Sequence, residues 1–179
     1  MRRRNFLAAL PIAGASPFTS PPNIALFIAD DHGLLDTPVY GSRVVRTPTL
    51  DRLAASGMVF ENAFAGSPTC VPSRAILTSG LMSVRNGVEA NHTQMKPDVR
   101  TLPSYLASLG YRVAHFGKSH FQPAANYKEW EAVPSEIRRK GLWSDLDTAA
   151  VDGWLAEHGS KDKRPLCLVI GCHSPHVYW

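Results

Sequence analysis

The chain alternates short apolar runs with segments of helical spacing. Asn23 to Ala29 is a continuous apolar run that stops at Asp30-Asp31-His32-Gly33. Such a run reads as a strand buried on both faces. Thr47-Pro48 offers an N-cap followed by proline at the first helical position. Leu50, Leu53 and Ala54 then follow at helical spacing, and Gly57 can close the helix. Met58-Val59-Phe60 reads as extended. A second helix is expected from Ser73 to Ser79 with Gly80 as its stop, and a third carries Leu102, Leu106 and Leu109 before Gly110. Tyr111 to Phe116 reads as a strand, Ser144 to His158 as a helix, and Leu166 to Ile170 as another short buried strand.

This order predicts an α/β fold, a mostly parallel sheet flanked by helices. Ligands of such sheets bind outside the carboxyl ends of the strands. The polar clusters fall at those ends. Asp30-Asp31 follows the first strand, Gly117-Lys118-Ser119-His120 the second, and His173-Ser174-Pro175-His176 the third. Three clusters far apart in sequence can therefore meet on one rim.

Composition narrows the class. With 179 residues, 44% hydrophobic and 19% charged, the chain is neither a disordered tail nor a coiled coil nor a collagen-like fibre. It suffices for one domain with a core, or for a piece of a larger one. The net charge is +4. Without Arg2, Arg3 and Arg4 it falls to about +1, which leaves no nucleic-acid footprint. No apolar run reaches about 18 residues, so no membrane span is expected.

Those three arginines open a basic segment followed by an apolar stretch, Phe6 to Ala15, with the small residues Ala13-Gly14-Ala15 at its end. This is the layout of an export signal. Arg3-Arg4-Asn5-Phe6-Leu7 resembles the twin-arginine signal of bacteria. Residues 1–20 are accordingly read as a signal segment and the product as exported, periplasmic or extracellular.

Cys70, Cys167 and Cys172 leave an odd thiol in any disulfide scheme. Cys167 and Cys172, five residues apart, fall on opposite faces of a strand. Cys172 with His173 and His176 lacks the second half of a zinc site. Both thiols are read as buried or spectator groups.

Taken one at a time, the clusters leave two readings each. Asp30-Asp31 is a solvated turn or a chelate for a hard divalent ion. Cys70-Val71-Pro72-Ser73-Arg74 begins a helix, where the terminus stabilises anions and lowers a thiol pKa. Cys70 is then a reactive thiol or a small buried residue. Lys118 and His120, two apart, share one face if the segment is extended. They are an exposed loop, or a charge and a proton acceptor for an anionic substrate.

Cys70-Val71-Pro72-Ser73-Arg74 matches the Cys-x-Pro-Ser-Arg signature of the sulfatases, and its surroundings resemble that family in order. They include Asn23 to Asp31, Thr47 to Leu53, Phe60 to Phe64, Ser73 to Gly80, and Leu109 to Val113 leading to Gly117-Lys118-Ser119-His120. The resemblance spans about residues 22 to 179 and implies an alkaline-phosphatase-like fold. It also implies that a formylglycine-generating enzyme oxidises Cys70 to formylglycine, whose hydrate attacks the sulfur and later expels sulfate. Asp30, Asp31 and residue 70 would hold Ca²⁺ or Mg²⁺. Arg74 would stabilise the ionised hydrate, Lys118 would contact sulfate or hydrate, and His120 would accept the proton that re-forms the aldehyde. His176 would protonate the leaving group, and His173 is a lesser candidate for substrate contact.

The resemblance further implies that more metal ligands and a second lysine lie beyond Trp179. Residues 21–179 then form the N-terminal part of a sulfatase catalytic domain, inactive alone. The order of Asn86-Gly87, Leu102-Pro103, Gly117-Lys118-Ser119-His120 and His173-Ser174-Pro175-His176 looks most like the heparan N-sulfatase branch. A general O-sulfatase acting on sulfated glycans or aryl sulfates is the other reading. The rivals are a phosphonate or phosphodiester hydrolase of the same superfamily, a truncated remnant without turnover, and a thiol redox protein using Cys70.

Overall fold

The computed structural model describes residues 20–137, 145–158 and 161–176. In chain order the elements are β1 (Ile24–Asp30), α1 (Pro48–Ser56), α2 (Cys70–Ser79), α3 (Ser83–Asn86), α4 (Leu102–Ser108), β2 (Arg112–Gly117), β3 (Trp130–Val133), β4 (Glu136–Ile137), β5 (Asp145–Leu146), α5 (Thr148–His158) and β6 (Leu166–Pro175). Short 3-10 turns lie at Leu34–Asp36, Pro38–Tyr40 and Ala124–Tyr127. The main sheet has the order β1-β6-β2-β3, and its neighbours all pair in parallel. The α/β fold with a parallel sheet is thus the one the sequence predicts.

Alternation along the central strands builds two cores. Val113, Cys167 and Val169 face Val71 and Ala75 of α2 and Leu106 of α4. Ala114, Phe116, Leu168 and Ile170 face Val151 and Trp154 of α5. Phe116 is fully buried, and burying such a ring contributes about 1.5–3 kcal/mol.

Three local expectations are corrected. β1 is not buried on both faces. Leu26 and Ile28 pack on the α2 side, but Phe27 is 59% exposed, because among the described residues β1 is the edge of the sheet and α5 covers β2 and β6 instead. Met58-Val59-Phe60, read as extended, lies outside helices and paired strands among the described residues, and Met58 and Phe60 are exposed, which leaves that reading uncorrected. α2 begins at Cys70 rather than Ser73, because Pro72 is tolerated in a first turn, whose N–H groups have no helical partner. α5 begins at Thr148, where the Asp147 carboxylate accepts the N–H groups of Ala149 (3.0 Å) and Ala150 (3.3 Å). The two residues before that cap, Asp145 and Leu146, pair antiparallel with β4.

The export-signal reading falls on residues outside the described ones, apart from Ser20. Among the described residues no helix is long and apolar enough to cross a membrane.

Candidate active site

β6 lies between β1 and β2, so three parallel strands deliver their carboxyl ends to one rim. The β1–β6 register runs evenly to Ala29↔Cys172 and then jumps to Asp30↔Pro175. His173 and Ser174 are the extra residues, which bulge over the strand ends. The His176 N–H bonds back to the His173 carbonyl at 2.8 Å. On the other side of β6, Gly117 pairs with Gly171 and has φ 68. A β-carbon on Gly117 would overlap the Gly171 carbonyl oxygen. Glycine is required there both by space and by φ.

Helix α2 supplies the facing wall. Cys70 is its first residue and half-buried, and Arg74 lies one turn on, almost wholly buried. Thr69 makes no side-chain cap. Asn91 takes that role from a distant loop, its Oδ1 accepting the Val71 N–H at 3.1 Å. Arg74 donates from Nη1 to the Lys118 carbonyl at 3.1 Å, and its Nη2 lies 3.5 Å from Asp30 Oδ1. The buried Lys118 ammonium donates to Asp30 Oδ2 and lies 3.7 Å from Cys70 Sγ. One carboxylate therefore stands between two buried cations, beside the thiol at a helix N-terminus.

The electrostatics follow from that packing. Burial pushes the Asp30 carboxyl up, but the hydrogen bond from Lys118 and the charges of Lys118, Arg74 and His176 outweigh it and hold it below the usual value of 3.8. Burial lowers Arg74, opposed by Asp30, and a guanidinium stays charged regardless. His120 is lowered below 6.5 by burial of its ring and by the charges of Lys118 and Arg74. Its residue is nonetheless largely exposed. Both hold if it sits at the rim, one edge wet and the other against the cluster. The extended reading of Lys118 to His120 fails, since Gly117 and His120 (φ 48) both turn the backbone left-handed. Burial also lowers His173, whose Nδ1 lies 3.7 Å from Glu136 Oε1.

Of the residues proposed for the metal, Asp30, Asp31 and Cys70 all line one open cleft, together with Ser73 and Arg74. Ligand atoms of Asp30, Cys70 and His176 lie within 4.8 Å of one another. Asp31 is partly exposed, has φ 57, and its Oδ2 is 3.6 Å from His176 Nε2. Arg74 Nη2 is buried and makes no hydrogen bond among the described residues. A buried guanidinium donor in that position fits an anion oxygen entering the cleft. The two carboxylates fit a hard cation. The sequence reading did not single out Asn91, Glu136 or His115. His115 lies under the site, buried, with Nε2 3.2 Å from the Lys118 carbonyl. Cys70, Cys167 and Cys172 are all free thiols, and burial pushes the last two up.

Comparison with known proteins places the chain in a family. The chain is 36% identical over 165 residues to an ulvan-active sulfatase of Formosa agariphila, covering 90% of this chain and 32% of that protein. It is 32% identical over 164 residues to human N-sulphoglucosamine sulphohydrolase, covering 87% and 32%. It superposes with TM-score 0.73 and 26% identity on a structure solved in complex with its substrate D-glucosamine-2-N,6-O-disulfate, covering 88% of this chain and 35% of that one. The chain thus spans about a third of the length of the curated relatives it matches. The Sulfatase family model matches residues 22–179, from the start of β1 past the His173–His176 bulge, and the chain belongs to the sulfatase family.

Proposed function

We propose that the full-length protein hydrolyses a sulfate ester or sulfamide on a sulfated sugar. Residue 70, converted from cysteine to formylglycine by a separate generating enzyme, is the nucleophile. The observation that carries this reading is the grouping of Cys70, Asp30, Lys118 and Arg74. A nucleophile position at a helix N-terminus is flanked by two buried cations. Such a site binds a tetrahedral anion and holds it against residue 70.

The roles follow from position. Where Cys70 Sγ now lies, the hydrated aldehyde would present hydroxyl oxygens. Lys118 Nζ, 3.7 Å from that sulfur, is placed to contact the sulfate or the hydroxyl. Arg74 Nη2, buried beside Asp30, stabilises the ionised hydrate. His120, kept neutral at pH 7 by its surroundings, accepts the proton that lets the aldehyde re-form. His176, facing Asp31 across the cleft, is the acid for the leaving oxygen or nitrogen. His173 borders the substrate.

Asp30 and Asp31, with the oxygens on residue 70, would hold a divalent cation, Ca²⁺ or Mg²⁺. That ion offsets sulfate charge and favours the ionised hydroxyl. A sphere of 6–8 oxygens needs further ligands from water or from outside this chain. The signal-like N-terminus supports export from a bacterial cell through the twin-arginine route, with oxidation of Cys70 before transport.

The test is direct. The full-length protein is produced with a formylglycine-generating enzyme, the peptide containing residue 70 is analysed by mass, and sulfate release is followed from glucosamine N-sulfate and glucosamine 6-O-sulfate. An aldehyde at residue 70 with turnover of either sugar is expected. An unmodified cysteine in an active enzyme would overturn the mechanism.

A further inference from the structure

His115 occupies an interior position of β2 where an aliphatic side chain would be expected. It is 3% exposed. Its ring stacks on Trp130 of β3 (centroids 4.8 Å apart, planes at 26°) and meets Phe121 edge-on (5.4 Å, 82°). An imidazole sunk among aromatic rings is costly unless its nitrogen is used. Burial drives its pKa down to about 4, so the ring is neutral at working pH.

The nitrogen that is used is Nε2, 3.2 Å from the Lys118 carbonyl oxygen. A carbonyl only accepts, so Nε2 carries the proton and the ring is the Nε2–H tautomer. The same oxygen accepts Arg74 Nη1 at 3.1 Å. Both lone pairs of this carbonyl are thus taken, one from the sheet and one from α2. The Lys118 N–H is in turn bound to the Gly171 carbonyl at 2.9 Å. The main chain of Lys118 is held on three sides just after the left-handed Gly117.

We propose that His115 is a positioning residue of this site: its Nε2–H, acting on the Lys118 carbonyl together with Arg74, fixes the direction in which the Lys118 ammonium and the Arg74 guanidinium enter the cleft. His115 does not itself reach the reacting atoms. The inference rests on the sulfatase reading only where turnover is the readout.

Two substitutions in the full-length protein separate positioning from packing. His115→Phe keeps a ring between Trp130 and Phe121 but donates nothing. His115→Gln loses the ring but places an amide N–H near the former Nε2. Positioning predicts that His115→Phe lowers kcat/KM for the sulfated sugar about tenfold or more, and that His115→Gln recovers most of the loss. If His115→Phe retains wild-type kcat/KM, or if His115→Gln is as slow as His115→Phe, the proposal is overturned.

A second measurement needs neither variant nor turnover. Nitrogen-15 spectra of the histidine-labelled full-length wild type are expected to show one neutral histidine protonated at Nε2, which the His115→Phe spectrum lacks, or which is assigned by through-bond correlation if that variant does not fold. A His115 protonated at Nδ1 would overturn the proposal even in an active enzyme. The Nε2–H form in a protein without sulfatase activity would leave this contact standing while the activity reading fell.

Discussion

Gly171 lies so close to Lys118 that a β-carbon on it would overlap the Lys118 carbonyl oxygen and press on Arg74 Nη1 at 3.3 Å. The oxygen that receives two side-chain donors is thus also the atom against which β6 packs. Gly171→Ala is expected to destabilise the full-length protein by about 1–3 kcal/mol, the range for overfilled interiors. Gly117→Ala should cost at least as much, since φ 68 adds backbone strain. Gly153 of α5 has open space where a β-carbon would go, so Gly153→Ala should stabilise by about 0.5–1 kcal/mol. Urea unfolding of the three variants checks the order, and a neutral Gly171→Ala would contradict the close approach.

Removing the carboxylate from between its cations should be severe. Asp30→Asn leaves Lys118 and Arg74 buried without their counter-charge, a defect worth about 3–5 kcal/mol. The pH dependence fixes its sign. A carboxyl held below 3.8 adds stability above that pH, and the contribution is lost as pH falls through the lower folded value. The gap between wild type and Asp30→Asn should therefore be widest near neutrality and should close below pH 3.8. A gap that is constant with pH would show that the ion pairs are not its source.

Turnover should depend on His120 in its neutral form. Burial, Lys118 and Arg74 lower its pKa from 6.5, so kcat should be level above that pH and fall on the acid side. His120→Ala should cost about 10²–10⁴-fold, as expected when a positioned proton acceptor is removed, and should alter the acid limb. A wild-type pH profile in that variant would assign the proton to another group.

Cys70→Ala should abolish sulfate release from the full-length enzyme. Cys70→Ser should nearly do so where no serine-modifying system is present, because an ordinary hydroxyl lacks the second oxygen that expels sulfate. Wild-type rates from either variant, measured by released sulfate, would remove residue 70 from the chemistry.

The parts of this site visible in the sequence are those with local signals. The apolar run ending at Asp30 and the Tyr111–Phe116 run ending before Lys118 gave strand ends, and Gly80 gave a helix stop. Non-local parts left no such mark. β3 is four residues long and mostly exposed at its centre. The β4–β5 pair has two residues on each side. Asn91 caps a helix 20 residues before it, and nothing in its own surroundings announces that. Nothing in the sequence marks His115, because its contact exists only once Gly117 turns the chain and brings the Lys118 carbonyl back onto Nε2. Phe27 shows the reverse error. Its neighbours made the strand look central, but among the described residues strand order puts it at an edge.

The place of β6 bears on how the site comes into being. It is the last strand described, yet it fills the gap between β1 and β2, pairing Ile24 with Cys167 and Val113 with the same residue. Before it inserts, Asp30 and Lys118 belong to strands with no shared partner, and both present open edges. Loop closure over that sequence distance makes such parallel insertion slow. A growing chain therefore carries α2 and both halves of the Asp30–Lys118 ion pair before the rim that joins them has formed. Under the proposed function, residue 70 would lack its anion-binding surroundings until β6 is in place.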